Sequence, residues 1–432
     1  MLRDRIFLFI VILILLGIEW LDYNISKNSA ILAALILIVG GYMLYLPITK
    51  LRYIERRTPY APNYRPFVSI IIPAKNEAKV IEATIREVMK IVYHKSDGTP
   101  NYELIVANDG STDETPEILD RLSKEYTNLK PYHRKPVKRS SKAAVLNEVT
   151  PMCKGEVICV FDADSRVKPN FLERIIPYLS DEKVAAVQAQ KRISNPNYNN
   201  LTAAQDDELF MLMAIGEGQD LAEGAVDLRG NGMLIKKEVL LSVGGWTEDA
   251  LTEDLDMSTK LHTSNWLIRY CPEISIYEEA TTTIKAFLKQ RRRWIEGALR
   301  RYLTYFTKII GNNVSLIKKV DMFSFFFTFI FPLWFFIDVI YMTYYILSGG
   351  TFRISMVMYM LIVLFVIGII QSVVGLKRAE VHGKRKILLR SLRNVIYTFH
   401  WFPVVIFVSF KIIFSLKPSE WDKTDHTGVG VE

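Results

Sequence analysis

Two aspartates that lie two residues apart are the side chains in this sequence that most clearly could take part in chemistry. Asp162 and Asp164 follow VICVF at residues 157–161, a short apolar run typical of a buried strand. Carboxylate oxygens are ligands that Mg²⁺ and Mn²⁺ prefer, and such a cation can bridge two phosphates. In an extended chain the two carboxylates would point to opposite faces, so a metal site requires a turn after the strand. The alternative is a solvated loop whose acid caps a helix.

Acidic residues stand at two further places where a chain could hold a ligand. Asp109 comes shortly after ELIVA at residues 103–107, and on its own it is most often part of a turn. Glu253 and Asp254 precede a segment with helical spacing of apolar residues. An acid at a helix start is stabilised by the helix dipole, which is the purely structural alternative to a general base.

Two glycine-rich segments allow close approach of the backbone to a ligand. These are RGNG at residues 229–232 and GGW at residues 244–246. We expect the turn at 244–246 to lead into an exposed Trp246, on whose face a sugar ring or an apolar chain can lie. The alternative for each segment is an ordinary turn, with Trp246 packed inside.

These residues are positioned by a strand, loop and helix pattern that occurs three times. The predicted pairs are 68–73 with 78–89, 103–107 with 115–122, and 157–161 with 170–179. Apolar strands alternating with helices predict an α/β fold with a parallel sheet covered on both faces. Ligands of such sheets bind at the carboxyl ends of the strands, where the polar residues lie. The sequence contains neither a G-x-x-x-x-G-K-[ST] loop nor a dinucleotide-binding G-x-G-x-x-G.

Half of the residues are hydrophobic, and they concentrate at the two ends of the chain. The apolar runs are 6–21, 30–46, 322–347, 354–374 and 394–414. We predict membrane helices for them, with the first two forming a hairpin. A cleaved signal peptide is the alternative for the first run. The 22 Gly, 17 Pro and three Cys exclude a collagen-like repeat, a disordered chain and a disulfide scaffold, and the cysteines fit a reduced compartment.

The net charge of +8 is concentrated beside the apolar runs. The loops 22–29 and 348–353 carry one basic residue each, whereas the segments 47–57 and 377–393 are strongly basic. By the positive-inside rule, residues 47–319 face the cytosol. A basic and aromatic stretch at 284–306 is typical of an amphipathic helix at the bilayer surface. Nucleic-acid binding is the competing interpretation, and the neighbouring apolar runs favour lipid.

The predicted organisation therefore has five parts. They are an N-terminal transmembrane hairpin at 1–48, a cytosolic domain at 49–283, an interfacial helix region at 284–319, C-terminal transmembrane helices at 320–416 and a tail at 417–432.

Taken in order, these elements resemble the membrane-integrated family-2 glycosyltransferases, whose cytosolic domain has the Rossmann-like GT-A fold. The matching motifs are the strand-end Asp109, the D-x-D at 162–164, the T-E-D at 252–254 and the Q-x-x-R-W that begins at Gln290. Lys142 and Asn147 match the family's G-K-x-x-x-L-N segment, with Ser141 in place of glycine.

The resemblance implies a role for each motif. Asp109 and Lys142 are expected to bind the nucleotide of a UDP-sugar. Asp162 and Asp164 are expected to position Mg²⁺ or Mn²⁺ on its diphosphate. Asp254 is the expected general base, with Glu253 as the alternative. The diphosphate and acceptor side of the pocket is expected to contain Gln290, Arg293 and Trp294. A single base and direct attack imply inversion at the sugar.

The acceptor implied by the resemblance is a membrane lipid. Residues 290–305, QRRRWIEGALRRYLTY, are most similar to the cyanobacterial β-monoglucosyldiacylglycerol synthases, which implies glucose as the sugar, diacylglycerol as the acceptor and a bacterial plasma or thylakoid membrane. The alternatives are a processive polysaccharide synthase and a non-catalytic scaffold. The tail motif WDKTDHTG at 421–428 resembles segments at the cytosolic mouth of polymerising relatives, so we expect one of the last three apolar runs to be interfacial or re-entrant.

Overall fold

A computed structural model describes residues 2–24, 41, 59, 61–135, 141–352 and 354–414. The second apolar run at 30–46, apart from residue 41, the basic segment that follows it and the tail with its 421–428 motif lie outside the described residues.

The central element is an eight-stranded sheet of mostly parallel strands. Its strands are β1 Val68–Ala74, β2 Tyr102–Asn108, β3 Leu129–His133, β4 Val157–Val160, β5 Arg166–Val167, β6 Val184–Ile193, β7 Met233–Lys236 and β8 Leu267–Glu278. They are arranged in the order β3-β2-β1-β4-β7-β6-β8-β5. β1 pairs in parallel with β2 and β4, as β2 does with β3 and β6 with β8. The predicted α/β class is confirmed, and β7, antiparallel to β4 and β6, is an addition to it.

Thirteen α-helices are described. They are α1 Leu2–Asn24, α2 Ile81–Val88, α3 Thr115–Glu125, α4 Lys142–Val149, α5 Phe171–Ile175, α6 Asn200–Leu221, α7 Lys237–Ser242, α8 Glu253–Thr263, α9 Ile284–Ile309, α10 Leu316–Leu347, α11 Met356–Arg378, α12 Lys384–Thr398 and α13 Trp401–Phe414. The helix predicted at 170–179 is shorter, because Pro177 lies in a 3₁₀ turn, Ile176–Leu179, that follows α5.

The sheet separates two apolar cores because successive side chains of a strand point to opposite faces. Ile70 and Ile72 of β1 pack in one core with Ile81 and Phe171 of the helices α2 and α5. Ile71 packs in the other core, which α4, α6 and α8 cover. All of these isoleucines are fully buried, and burying one such side chain contributes about 1.5–3 kcal/mol.

Three helical segments among the described residues are long and apolar enough to cross a membrane. They are Leu316–Leu347, Met356–Arg378 and Lys384–Phe414, and the last comprises α12, a turn and α13. α10 packs on α13 through aromatic pairs, such as Phe331 with Phe402 at 6.0 Å between ring centroids. α11 lies directly on α6, where a Cβ on Gly375 would come within 2.1 Å of the Phe210 carbonyl oxygen. Helix α6 therefore links the sheet to the apolar helices.

Candidate active site

All nine side chains that the sequence singled out for the site line one cavity of about 580 Å³. They are Asp109, Lys142, Asp162, Asp164, Glu253, Asp254, Gln290, Arg293 and Trp294. The cavity opens where β1, β2 and β4 end, as the parallel-sheet rule predicts.

A turn after β4 brings the two aspartates of the D-x-D motif into this cavity. The Ser165 N–H donates to the Asp162 carbonyl oxygen at 3.1 Å, which closes the turn. Asn231 is fully buried, and its Oδ1 accepts from the Asp162 N–H at 3.2 Å and from the Ser165 hydroxyl at 2.8 Å. The sequence pattern marks this segment by its glycines, whereas the structure shows that the Asn231 amide between them holds the turn.

The glycines of this loop have a steric role. Gly230 and Gly232 have φ angles of 78° and 71°, a conformation that side chains with a Cβ rarely adopt. A Cβ on Gly230 would lie 3.2 Å from Oδ2 of Asp254, so the loop backbone packs closely against this carboxylate.

Lys142 joins the D-x-D turn to the T-E-D segment. Its Nζ lies 2.6 Å from Oδ1 of Asp162 and 3.2 Å from Oε1 of Glu253. Burial lowers the pKa of Lys142, but the carboxylates of Asp162, Glu253 and Asp254 outweigh burial and raise it above its usual value. The lysine is therefore an ammonium ion at neutral pH. It begins α4, and Ser141 caps that helix by accepting from the Ala144 N–H at 3.1 Å.

Asp254, in the first turn of α8, is the carboxylate whose protonation is most altered. Burial, together with the neighbouring Glu253, raises the pKa of Asp254 to about 7, although Lys142 opposes the shift. The Leu255 N–H donates to Oδ1 at 2.8 Å and so fixes the orientation of the carboxylate. A carboxyl group with this pKa can accept a proton near neutral pH.

Two further charged residues that no motif indicated, Lys191 and Glu278, also line the cavity. Nζ of Lys191 in β6 lies 2.7 Å from Oε2 of Glu278 at the end of β8. Burial raises the pKa of Glu278, Lys191 lowers it, and Asp164 and Asp162 raise it further. Oδ2 of Asp164 accepts from the Glu279 N–H at 2.7 Å. No motif marks Lys191 or Glu278, because their position depends on the pairing of β6 with β8.

The carboxylates of the D-x-D turn have the donor chemistry of a Mg²⁺ or Mn²⁺ site. Among the described residues, no group of three or more His, Cys, Asp or Glu side chains is arranged to hold a metal ion by itself. Magnesium commonly binds one or two carboxylates and completes its shell with water and substrate phosphates. Asp162 and Asp164 fit a cation of that kind.

Asp109 lines the cavity directly after the end of β2. Its Oδ1 lies 3.0 Å from Nη1 of Arg134 and its Oδ2 lies 3.4 Å from Nζ of Lys75. Arg134 also binds Glu148 at 2.6 Å, so its position beside Asp109 is fixed.

The Q-x-x-R-W motif lies on α9, which borders the cavity towards the apolar helices. Gln290, Arg293 and Trp294 line the cavity. Arg291 is buried, forms an ion pair with Glu208 of α6, and lies 4.5 Å from the Trp294 ring centroid. A basic residue expected at the bilayer surface thus binds a carboxylate of the protein.

Beyond the charged residues, the cavity continues between α10, α11, α12 and α13. Its walls there are mainly apolar, and they include Phe325, Phe329, Phe331, Leu361, Leu364 and Phe402. The phenylalanine-rich part of α10 is predicted from the sequence as a membrane span, and no motif in it indicated that it lines the site.

The expectation of an exposed Trp246 is wrong. Its side chain is 2% exposed and packs in the core under α4 and α8. The Asn147 side chain donates to the Trp246 carbonyl oxygen and accepts from its N–H, both at 2.8 Å. These contacts fix the backbone of Trp246, and the segment is the ordinary turn with a packed tryptophan that was the alternative. Asn147 therefore has a structural role, and it does not belong to the lining of the cavity.

Comparison with known proteins gives a family match and several relatives. Residues 65–297 match the family described as Glycosyltransferase like family 2. The chain is 32% identical over 415 residues to the beta-monoglucosyldiacylglycerol synthase of Nostoc sp., covering 94% of this chain and 86% of that relative. It is 27% identical over 355 residues to the poly-beta-1,6-N-acetyl-D-glucosamine synthase of Staphylococcus epidermidis, covering 79% and 80% of the two chains.

Among solved structures, the mannosyltransferase PcManGT of Pyrobaculum calidifontis, in complex with GDP-Man and Mn²⁺, matches with a TM-score of 0.61. The two chains are 18% identical, and the match covers 90% of this chain and 99% of the mannosyltransferase, which shows a shared fold. From the family match and the 32% identity over nearly the whole chain, we conclude that this protein belongs to glycosyltransferase family 2.

Proposed function

We propose that this protein transfers glucose from UDP-glucose to diacylglycerol and inverts the configuration at the sugar. The observation that carries the proposal is the single cavity, in which a carboxylate-lined end leads into an apolar cleft between membrane-type helices. The product would be a β-glucosyl lipid. The similarity to the beta-monoglucosyldiacylglycerol synthase supports the same donor and acceptor.

The apolar part of the cavity suits an acceptor with acyl chains and a single reacting hydroxyl. Acyl chains gain from contact with side chains such as Phe329, Leu361 and Phe402, because this contact removes apolar surface from water. The hydroxyl of such an acceptor would reach the charged end, where Asp254 lies.

The charged end suits the nucleotide-sugar. Asp109 would bind the nucleoside, and Asp162 and Asp164 would hold Mg²⁺ or Mn²⁺ against the diphosphate. The cation would supply charge neutralisation for the departing UDP. Lys142 and Arg293 add positive charge on the same path, and Gln290 and Trp294 border the acceptor side.

Asp254 is the better candidate for the general base. Oε1 of Glu253 lies 3.2 Å from Nζ of Lys142, so this carboxylate is already engaged in an ion pair and is less available to an acceptor hydroxyl. Asp254, with its pKa raised to about 7, can take the proton of an acceptor hydroxyl as that oxygen attacks the sugar. Attack from the side opposite UDP inverts the anomeric centre.

The membrane arrangement is part of the proposal. The apolar helices lie in a bacterial plasma or thylakoid membrane, and the domain built on the sheet faces the cytosol, as the basic flanks favour. On α11, Tyr359, Ile362 and Val366 are three or four residues apart and exposed, as expected of a lipid-facing stripe.

A product assay tests this function directly. Purified protein in detergent is incubated with radiolabelled UDP-glucose, diacylglycerol and Mn²⁺ or Mg²⁺, and then with the other UDP-sugars in turn. We expect a chloroform-soluble glucolipid with a β linkage, and none from the Asp254→Asn variant. The similarity to a poly-N-acetylglucosamine synthase supports one alternative, a processive synthase. A water-soluble polymer that β-glycosidases digest would establish that alternative and contradict our proposal.

A further inference from the structure

A second cavity, of about 420 Å³, lies outside the active site at the cytosolic end of α11. Four basic side chains from four different parts of the fold line it, namely Lys168, Arg174, Arg192 and Arg378. Lys168, Arg174 and Arg378 are exposed and Arg192 is half-buried, so they form an open basic cleft in which an anion would reduce the repulsion between like charges.

Two of the four cations are exposed side chains that have no partner within the part of the chain that the structure describes. Among the described residues, neither Lys168 nor Arg174 forms an ion pair or a side-chain hydrogen bond. Arg192 contacts Asp206 at 3.5 Å, and Arg378 contacts Glu217 at 3.1 Å. The acid in the lining, Glu273, accepts hydrogen bonds from the Tyr178 hydroxyl and the Cys271 thiol. A surplus of positive charge therefore remains in this cavity.

A buried amide provides a second, independent observation. Gln190 is only 6% exposed, lines the cavity, and has no side-chain hydrogen bond to any of the described residues. Its amide atoms are not among the fully buried side-chain atoms without a partner, so they open onto the cavity and are available to a ligand. Its N–H groups and those of the two free cations are donors, and an oxyanion accepts from several donors at once.

The location of the cavity indicates which anions can reach it. Arg378 is the last residue of α11, a helix apolar enough to cross the membrane, so the cavity lies near the depth of lipid headgroups. The strand β6 separates it from the active site, because Gln190 and Arg192 line this cavity whereas Lys191 and Ile193 line the catalytic one. We propose that the second cavity binds a phosphate group, carried either by an anionic phospholipid headgroup or by free phosphate.

The test compares two double variants of the full-length protein in neutral detergent. Lys168→Gln with Arg174→Gln removes the two unpartnered cations. Lys384→Gln with Arg385→Gln removes two exposed cations at the start of α12, outside the cavity, and serves as the matched control. A third protein, Lys168→Arg with Arg174→Lys, keeps both charges. Nucleotide binding to the active site shows that each variant is folded.

Binding is measured with inorganic phosphate by calorimetry and with phosphatidylglycerol by native mass spectrometry, using phosphatidylcholine as the neutral reference. We expect the cavity variant to bind the anionic probe about 10- to 30-fold more weakly, and the control and charge-preserving variants to stay within about twofold of the wild type. Binding of phosphatidylglycerol alone identifies the headgroup as the source, and binding of phosphate identifies the free ion as sufficient. The proposal is overturned if the wild type binds neither probe, or if the cavity and control variants lose affinity equally.

Discussion

Two groups of buried acids differ in the cations that hold them. On α6, the carboxylates of Asp206 and Asp207 bind arginines of α12, with Arg390 contacting both and Arg393 contacting Asp207. In the active site, the described ion pairs of Asp162, Glu253 and Glu278 come from the lysines Lys142 and Lys191, whereas Asp109 at the end of β2 pairs with Arg134 and Lys75. Arginine is always charged and binds a carboxylate in a fixed fork, whereas lysine is a point charge that leaves carboxylate oxygens accessible.

The first group of acids stabilises the fold, and the second belongs to the proposed active site. Asp206 and Asp207 hold the sheet domain against α12, and neither lines the main cavity, whereas Glu208 of the same helix lines it and pairs with Arg291. The acids of the site face that cavity, and one of them, Asp254, has its pKa raised to about 7. Burial of an acid therefore does not identify a catalytic residue, but an acid that faces a cavity and titrates near neutral pH is a candidate.

The strongest test of this difference is Asp254→Asn. The variant cannot accept a proton, so we expect transfer to fall by about 10²- to 10⁴-fold while UDP binding remains. Asp256→Asn is the matched control, because Asp256 is a buried acid of the same helix that binds Thr247 and lies outside the cavity lining. Single-turnover transfer and UDP titration measure the two effects. Equal activity of Asp254→Asn and the wild type would exclude it as the base.

The complementary test removes one of the arginines that bind Asp206 and Asp207. Arg390→Gln leaves Asp206 and Asp207 with fewer cations, and removing one partner of a buried pair typically costs about 3–5 kcal/mol. We expect the free energy of unfolding to fall by about 2–3 kcal/mol, because the Arg390 side chain is 19% exposed and Arg393 still binds Asp207. Thermal unfolding in detergent measures this loss of stability. The control is Arg385→Gln, which removes an exposed arginine of the same helix. Identical melting temperatures of the two variants would show that the pair contributes little.

The sequence predicted which strands end at the cavity. Asp109 and Asp162 follow strands that short apolar runs reveal, and the parallel-sheet rule places strand ends together. It did not predict Lys191 and Glu278, which meet only because β6 and β8 pair in parallel across about 80 residues of chain. The sequence also did not predict the ion pairs of Asp206 and Asp207, because their arginines lie far away in the chain.

Helix α6 shows why such contacts escape local patterns. It packs on the sheet with one side and on α11 and α12 with the other, so its sequence lacks the single apolar stripe of a surface helix. The basic residues of α12 fitted the positive-inside rule, but nothing in their own segment showed that Arg390 and Arg393 bind α6. Their partners are about 180 positions away in the chain.

A smaller effect is expected for Asp164→Asn. The amide can still accept the Glu279 N–H but removes the negative charge that a divalent cation requires. UDP binding in the presence of Mn²⁺ should weaken about 10- to 100-fold, and binding without metal should change little. Asp206→Asn on α6 is the control, and it should lower stability without changing the metal dependence. A metal effect on UDP binding that is the same in wild type and Asp164→Asn would remove Asp164 from the metal site.

The pH dependence of transfer is the mildest perturbation. A general base acts when deprotonated, and Asp254 has its pKa raised to about 7, so kcat/KM should rise about tenfold per pH unit below that value and level off above it. At about pH 6 only about a tenth of the molecules would carry the base form. The Asp254→Glu variant keeps a carboxylate but places it in a different environment. It should therefore keep some activity and shift the midpoint of the pH profile. A profile that is flat from about pH 5.5 to about pH 8 in the wild type would mean that the residue titrating in this site is not the one that accepts the proton.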